Sequence, residues 1–134
     1  MIASVSRATV PKLSVVVRKA YGAGLYAMCG PAFDPEACLA LPTASIAVMG
    51  PQAAVNAVHY NRIQAVPDGP ERDTLVRQLR AEYESDIDLV KLASELVVDA
   101  VVGFDDLRKE IATRLELARN KPREPRRGPW ISPM

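Results

Sequence analysis

The chain has 134 residues, with 17 Lys and Arg against 16 Asp and Glu, a near balance that gives no sign of nucleic-acid or membrane binding. Apolar residues make up 49% and aromatic ones only 5%, so a single modest domain must build its interior from Val, Leu, Ile and Ala. No apolar run approaches ~18 residues and the opening MIASVSRATVPK lacks a signal-peptide core, which leads to the expectation of a cytoplasmic protein.

Residues 1–9 read as the end of a helix. Val10-Pro11 then forces extended backbone, because a residue before proline is pushed out of the helical region. Leu13 to Val17 is a compact, mostly β-branched run that suits a strand buried on both faces. Arg18 and Lys19 end it, Tyr21-Gly22-Ala23-Gly24 makes a turn, and Leu25 to Cys29 has helix-forming residues stopped by Gly30-Pro31. Phe33 to Leu41 reads as a loop. Thr43 to Met49 alternates small or polar with apolar residues and reads as a second strand, closed by Gly50-Pro51. Proline at a first helical position launches a helix with Val55 and Val58 on one face and Ile63 further along. After the break at 66–70 comes a polar helix, Glu71 to Ser85, with Leu75, Val76, Leu79 and Tyr83 on a stripe. Asp86 to Val97 keeps helical spacing through Leu89, Leu92, Ala93 and Leu96, and 98–102 reads as a short strand or extended segment. In the last helix Phe104, Leu107, Ile111, Leu115 and Ala118 share a face, with acidic residues at its start and basic ones at its end. Residues 121–134, rich in proline and arginine, form an extended arm beyond a domain at 1–120. Strands that each turn into a helix indicate an α/β layered fold.

Side-chain chemistry is sparse. Cys29 and Cys38 are read as reduced, half-buried thiols, and a metal site is not expected because no clustered ligands accompany them. His59, the lone histidine, reads as a half-buried structural residue rather than a general base. Glu82, Glu84, Asp86 and Asp88 read as a solvated helix junction, and Arg123, Arg126 and Arg127 as a solvated tail. What remains is the glycine turn. A strand entering a helix through small residues exposes backbone N–H groups that have no partner inside the helix, and the helix dipole adds partial positive charge. Such donors can hold an oxyanion where Gly22, Ala23 and Gly24 leave the backbone bare; the local pattern by itself favours a tight turn that binds nothing. The spacing fits neither G-x-G-x-x-G, since position 27 is alanine, nor a Walker loop, nor a nucleophile elbow. A similar junction recurs at Val48-Met49-Gly50-Pro51-Gln52.

The runs PKLSVVVRKAYGAGLYAMCG and LALPTASIAVMGPQAAVNAV resemble the C-terminal domain of the carboxyltransferase β subunit of biotin-dependent acyl-CoA carboxylases, of the propionyl- and methylcrotonoyl-CoA type. The similarity extends through AEYESDIDLVKLASELVVDAVV and LRKEIATRLELARNK, and YGAGLYAMCG is nearer the methylcrotonoyl form. The resemblance implies a crotonase-like fold of repeated β-β-α units, present as a partial domain with C-terminal helices. It implies biotin as the cofactor, arriving as carboxybiotin on a carrier protein rather than attached to this chain. The main-chain donors of Ala23 and Gly24 would polarise the biotin ureido carbonyl, with Gly22 and Gly50 also at the biotin site and Tyr26 near the acyl group. The substrate would be an acyl-CoA, and the partners a biotin carboxyl carrier or biotin carboxylase subunit within a homo- or hetero-oligomer. Family sites lie between an N-terminal domain of one subunit and a C-terminal domain of another. The expected function is therefore a carboxyltransferase component that needs a partner acyl-CoA-binding domain. The alternative is an inactive remnant or structural subunit of such a complex. A hydratase of the wider crotonase class fits less well, because no paired glutamates accompany the turn.

Overall fold

The computed structural model describes residues 2–121; the expected arm at 121–134 lies, but for its first residue, outside the described residues. A short helix α1 (Ile2–Arg7) leads into two successive β-β-α units. The first is β1 (Leu13–Val16), β2 (Lys19–Tyr21) and α2 (Ala23–Ala27); the second is β3 (Ala37–Ala40), β4 (Ser45–Ala47) and α3 (Pro51–Val58). Like pairs with like. β1 lies parallel to β3 from Leu13↔Ala37 to Val16↔Ala40, and β2 lies parallel to β4 from Lys19↔Ser45 to Tyr21↔Ala47. The register offset is 24 residues in the first pair and 26 in the second, so the structural repeat has no fixed sequence period. Helices α4 (Tyr60–Gln64), α5 (Pro70–Asp86) and α6 (Leu89–Ser94) follow, then β5 (Ala100–Val101), which joins β3 in parallel, and α7 (Leu107–Arg119). The larger sheet therefore runs β1-β3-β5, and the smaller holds β2 and β4.

Several expectations are corrected here. The stretch Phe33–Leu41 is not a loop: its residues 37–40 form β3, the central strand, and all four are buried. Ala-Cys-Leu-Ala has no β-branched residue, so the local preference for strand is weak and the assignment comes from pairing on both edges. The run 13–21 is two strands in two sheets rather than one strand and a turn, because the chain changes sheet at Val17-Arg18. The helix expected over 86–97 is only α6, since α5 continues to Asp86 and Leu96 leaves the helix at φ 59, with its side chain 85% exposed. Val58, Phe104 and Leu115 were expected on packed faces and are exposed instead. Both cysteines are buried rather than half-buried, and both are free thiols.

The interior consists of three small clusters. Val16, Cys38, Ala40, Ile46 and Val98 pack on one face of the larger sheet, with Leu25 of α2 and Leu89 and Leu92 of α6 against them. Ala37, Leu39 and Val102 pack on the other face, under Leu107 and Ile111 of α7. Val55, Ile63 and Leu79 join α3, α4 and α5, and the expected stripe of Leu75, Val76 and Tyr83 closes over them. Tyr83 also donates from its hydroxyl to the carbonyl of Met49 at 3.0 Å, tying α5 to the turn that precedes α3. No helix among the described residues is long and apolar enough to cross a membrane.

Candidate functional site

The two β-β-α units place a glycine at the N-cap of each unit's helix, Gly22 for α2 and Gly50 for α3. Their constraints differ. Gly22 has φ 54 and ψ −135, and a Cβ there would sit 2.9 Å from the carbonyl oxygen of Val48. Both facts demand glycine. The Gly22 amide donates to the carbonyl of Ala47 at 3.0 Å, which pins the start of α2 to the end of β4. The next two amides are different. Ala23 and Gly24 occupy the first turn of α2, are exposed, and donate to no acceptor among the described residues. A Cβ on Gly24 would meet nothing within 4 Å, and Gly24 lines one of the two surface grooves described below. Of the three small residues, one builds the turn and two present bare donors.

Gly50 has an ordinary extended conformation, and its position against the Tyr21 ring is what keeps it small: a Cβ would lie 3.3 Å from Cε2 of that ring. The Tyr21 hydroxyl in turn shares a 3.0 Å hydrogen bond with Ser45 Oγ. Tyr21 and Lys19 lie between two surface grooves. One, of about 760 Å³, follows β1 and β2 past Gly24 and Met28; the other, of about 730 Å³, runs past Gly50, Gln52 and Arg80. Gly24 and Gly50 therefore line different grooves with a shared wall. Tyr26 projects from α2, 46% exposed, with its ring centroid 6.3 Å from that of Phe33 and tilted by 57°. Tyr21, Lys19 and Arg80 did not stand out in the sequence. The only signal for Tyr21 was an aromatic residue directly before the glycine turn.

The remaining titratable candidates stand apart. His59 is half-buried at the junction of α3 and α4, where its amide donates to Val55 and its carbonyl accepts from Ile63 at 2.9 Å; it lines neither groove. Burial, then the Asp99 carboxylate, then Cys29, push the Cys38 thiol from 9.0 up to about 11, which makes it a poor nucleophile near neutrality. Among the described residues no group of three His, Cys, Asp or Glu side chains could hold a metal ion.

Comparison with known proteins decides the family. Residues 1–128 match the carboxyl transferase domain. The chain belongs to that family. Among curated relatives, this carboxyl transferase chain is 60% identical over 116 residues to an uncharacterized carboxylase, YngE, of Bacillus subtilis, covering 87% of this chain and 22% of that protein. It is 37% identical over 122 residues to the methylmalonyl-CoA carboxyltransferase 12S subunit of Propionibacterium freudenreichii, covering 90% of this chain and 23% of the relative. Among solved structures, transcarboxylase 12S, described as a hexamer with methylmalonyl-CoA bound, superposes with a TM-score of 0.82 at 34% identity, over 99% of this chain and 24% of that one. The β subunit of Pseudomonas aeruginosa geranyl-CoA carboxylase gives 0.73 at 29% identity, over 94% and 28%. The α/β, crotonase-like fold expected from the resemblance holds, as a partial domain, and the chain spans between a fifth and a quarter of the length of the curated relatives it matches.

Proposed function

We propose that this chain is a carboxyltransferase component that holds the ureido carbonyl of biotin at the start of α2, while a complementary polypeptide region binds the acyl-CoA. The observation that carries the reading is the pair of exposed, unpaired amides of Ala23 and Gly24 beside an open groove, in a chain of the carboxyl transferase family. Biotin, delivered as carboxybiotin by a carrier protein, would supply the carboxyl group. The donor set fits the acceptor: each amide would offer one N–H to the ureido carbonyl oxygen, stabilising negative charge there. Preorganised donors of this kind contribute about 3–4 kcal/mol each to lowering a barrier when water is excluded. Gly22 keeps them aimed, because its own amide is fixed to Ala47 and cannot rotate away. Tyr26, on the exposed side of α2, would wall the acyl side, and Gly50 with Tyr21 would form the far rim. The chain would act in the cytoplasm, within an oligomer.

The test is reconstitution. The purified chain, alone and mixed with a polypeptide supplying the rest of a carboxyl transferase subunit, is assayed for biotin-dependent decarboxylation of methylmalonyl-CoA and malonyl-CoA. Turnover is expected only on mixing. Ala23→Pro removes one donor at a first helical position, where proline is tolerated, and should lower the rate of the mixture about 10²–10³-fold. Ala23→Ser, which keeps the amide, should retain it. A folded mixture without turnover would favour a structural role, and full activity in Ala23→Pro would refute the amide assignment.

A further inference from the structure

Among the described residues, three other than glycine have a left-handed backbone: Cys29 at φ 64, Asp34 at φ 51 and Leu96 at φ 59. Asp34 and Leu96 are exposed, so Cys29 alone combines that strain with a buried side chain. Its backbone is held from the sheet below. Ser14 Oγ donates to the Cys29 carbonyl at 2.5 Å and lies 3.2 Å from that of Met28. On the neighbouring strand the register partner of Ser14 is Cys38. Register partners of parallel strands share a sheet face, and their backbones lie about 4.8 Å apart. One strand spacing and one hydrogen bond therefore separate Cys38 from Cys29. The two thiols also sense each other, since Cys29 is among the groups that push the Cys38 thiol up. Both are free. The Cys29 thiol donates to the Phe33 carbonyl at 4.0 Å, a contact weak enough to be given up by rotation about χ1.

The cover over this pair is thin. Helix α2 has five residues, none of them buried, and it rests on the larger sheet through Leu25. So short a helix opens locally at small cost, which admits a small oxidant. We propose that Cys29 and Cys38 are a redox pair, closing to an intramolecular disulfide that latches the end of α2 onto the central strand β3. The electron acceptor is a low-molecular-weight disulfide. Cys29, 7% exposed against 1% for Cys38, attacks one of its sulfurs as the thiolate, forming a mixed disulfide and releasing one small thiol. Cys38 then attacks the Cys29 sulfur, the bond between the two residues forms, and the second small thiol leaves. In all, two electrons and two protons pass to the oxidant, which ends as two thiols. Burial and Asp99 hold the Cys38 proton, so the second step is the slow one. The latch belongs to the fold of this chain and stands apart from the carboxyl-transfer reading. Only its bearing on the Ala23 and Gly24 amides, carried by the same helix, rests on that reading.

The test uses the full 134-residue chain, reduced and then exposed to oxidised glutathione without denaturant. Its mass should fall by two hydrogens with no glutathione retained, and proteolytic mapping without reductant should join the Cys29 and Cys38 peptides. Cys38→Ala should stop at a mixed disulfide on Cys29. Cys29→Ala should react about tenfold or more slowly than the native chain. The Met28 and Cys29 amides donate to Gly24 and Tyr26, and their hydrogen exchange should slow about tenfold on oxidation and recover with dithiothreitol. The mass and the map of the native chain depend on neither variant folding, and no readout requires turnover. A stable glutathione adduct, a disulfide between two chains, or a chain that stays reduced overturns the proposal. Unchanged exchange at Met28 and Cys29 in the oxidised chain overturns it as well, by showing that α2 is not latched.

Discussion

At residue 22 two independent constraints coincide, a left-handed backbone and a carbonyl oxygen 2.9 Å from where a Cβ would sit. Gly22→Ala should destabilise the chain by about 2–3 kcal/mol, read from denaturant unfolding, because strain of about 1–3 kcal/mol adds to displacement of Val48. Gly24→Ala, with open space around it, should cost far less, and comparable losses at the two positions would contradict the unequal roles assigned to them. Cys38 makes a pH prediction. Its thiol titrates at about 11 in the fold and at 9.0 ordinarily, so the folded state holds the proton more tightly. This contribution is fully present below pH ~9 and is lost as pH rises through about 11. The midpoint of thermal unfolding should therefore fall between those pH values more steeply in the native chain than in Cys38→Ala, and equal slopes would refute it.

Among the elements, α6 shows how a short helix is held. Asp88 precedes it and accepts from the amides of Val90 at 3.0 Å and Lys91 at 3.1 Å, filling two of the otherwise unpaired donors of the first turn. Asp88→Ala should cost about 1 kcal/mol and loosen Leu89 and Leu92 from the sheet, with increased amide exchange through 89–94 as the readout. Element by element, legibility followed how local the cause was. The stripe of Leu75, Val76, Leu79 and Tyr83 was readable because a helix face depends on spacing alone. β3 was not, since four small or unbranched residues become a strand only through neighbours supplied by residues 13–16 and 100–101. The small residues at 22–24 were legible as the entry to a helix, although the turn is Gly22 alone and the helix begins at Ala23 rather than Leu25. The difference between the Gly22 amide and the next two was not legible, because it depends on Ala47, which lies far along the chain.

For the molecule as a whole, the interior is divided into three small clusters while Val48, Val58, Leu96, Phe104 and Leu117 remain 60–85% exposed. An isolated chain of this kind should self-associate through those faces, which light scattering at increasing concentration will report. It should also gain stability from a true complement: at a hundredfold excess over the dissociation constant, binding to the folded state alone contributes about 2.7 kcal/mol. A shift of the unfolding midpoint on mixing, absent with an unrelated protein, is the expected sign. That some apolar surface is exposed was an expectation of the sequence, whereas the residues that expose it were not legible, because Phe104 and Leu115 fit a helical stripe as well as any buried pair.

The β3 strand also sets a timetable. Asp99 brackets Cys38 twice, its carboxylate accepting from the Cys38 amide at 2.7 Å and its own amide donating to the Cys38 carbonyl at 2.9 Å, across a separation of 61 residues. During synthesis at about 5–20 residues per second, the far side of β3 thus stays unsealed for roughly 3–12 s after it is made. A nascent chain stalled before residue 99 would leave that edge of β3 unpaired and open to non-native pairing.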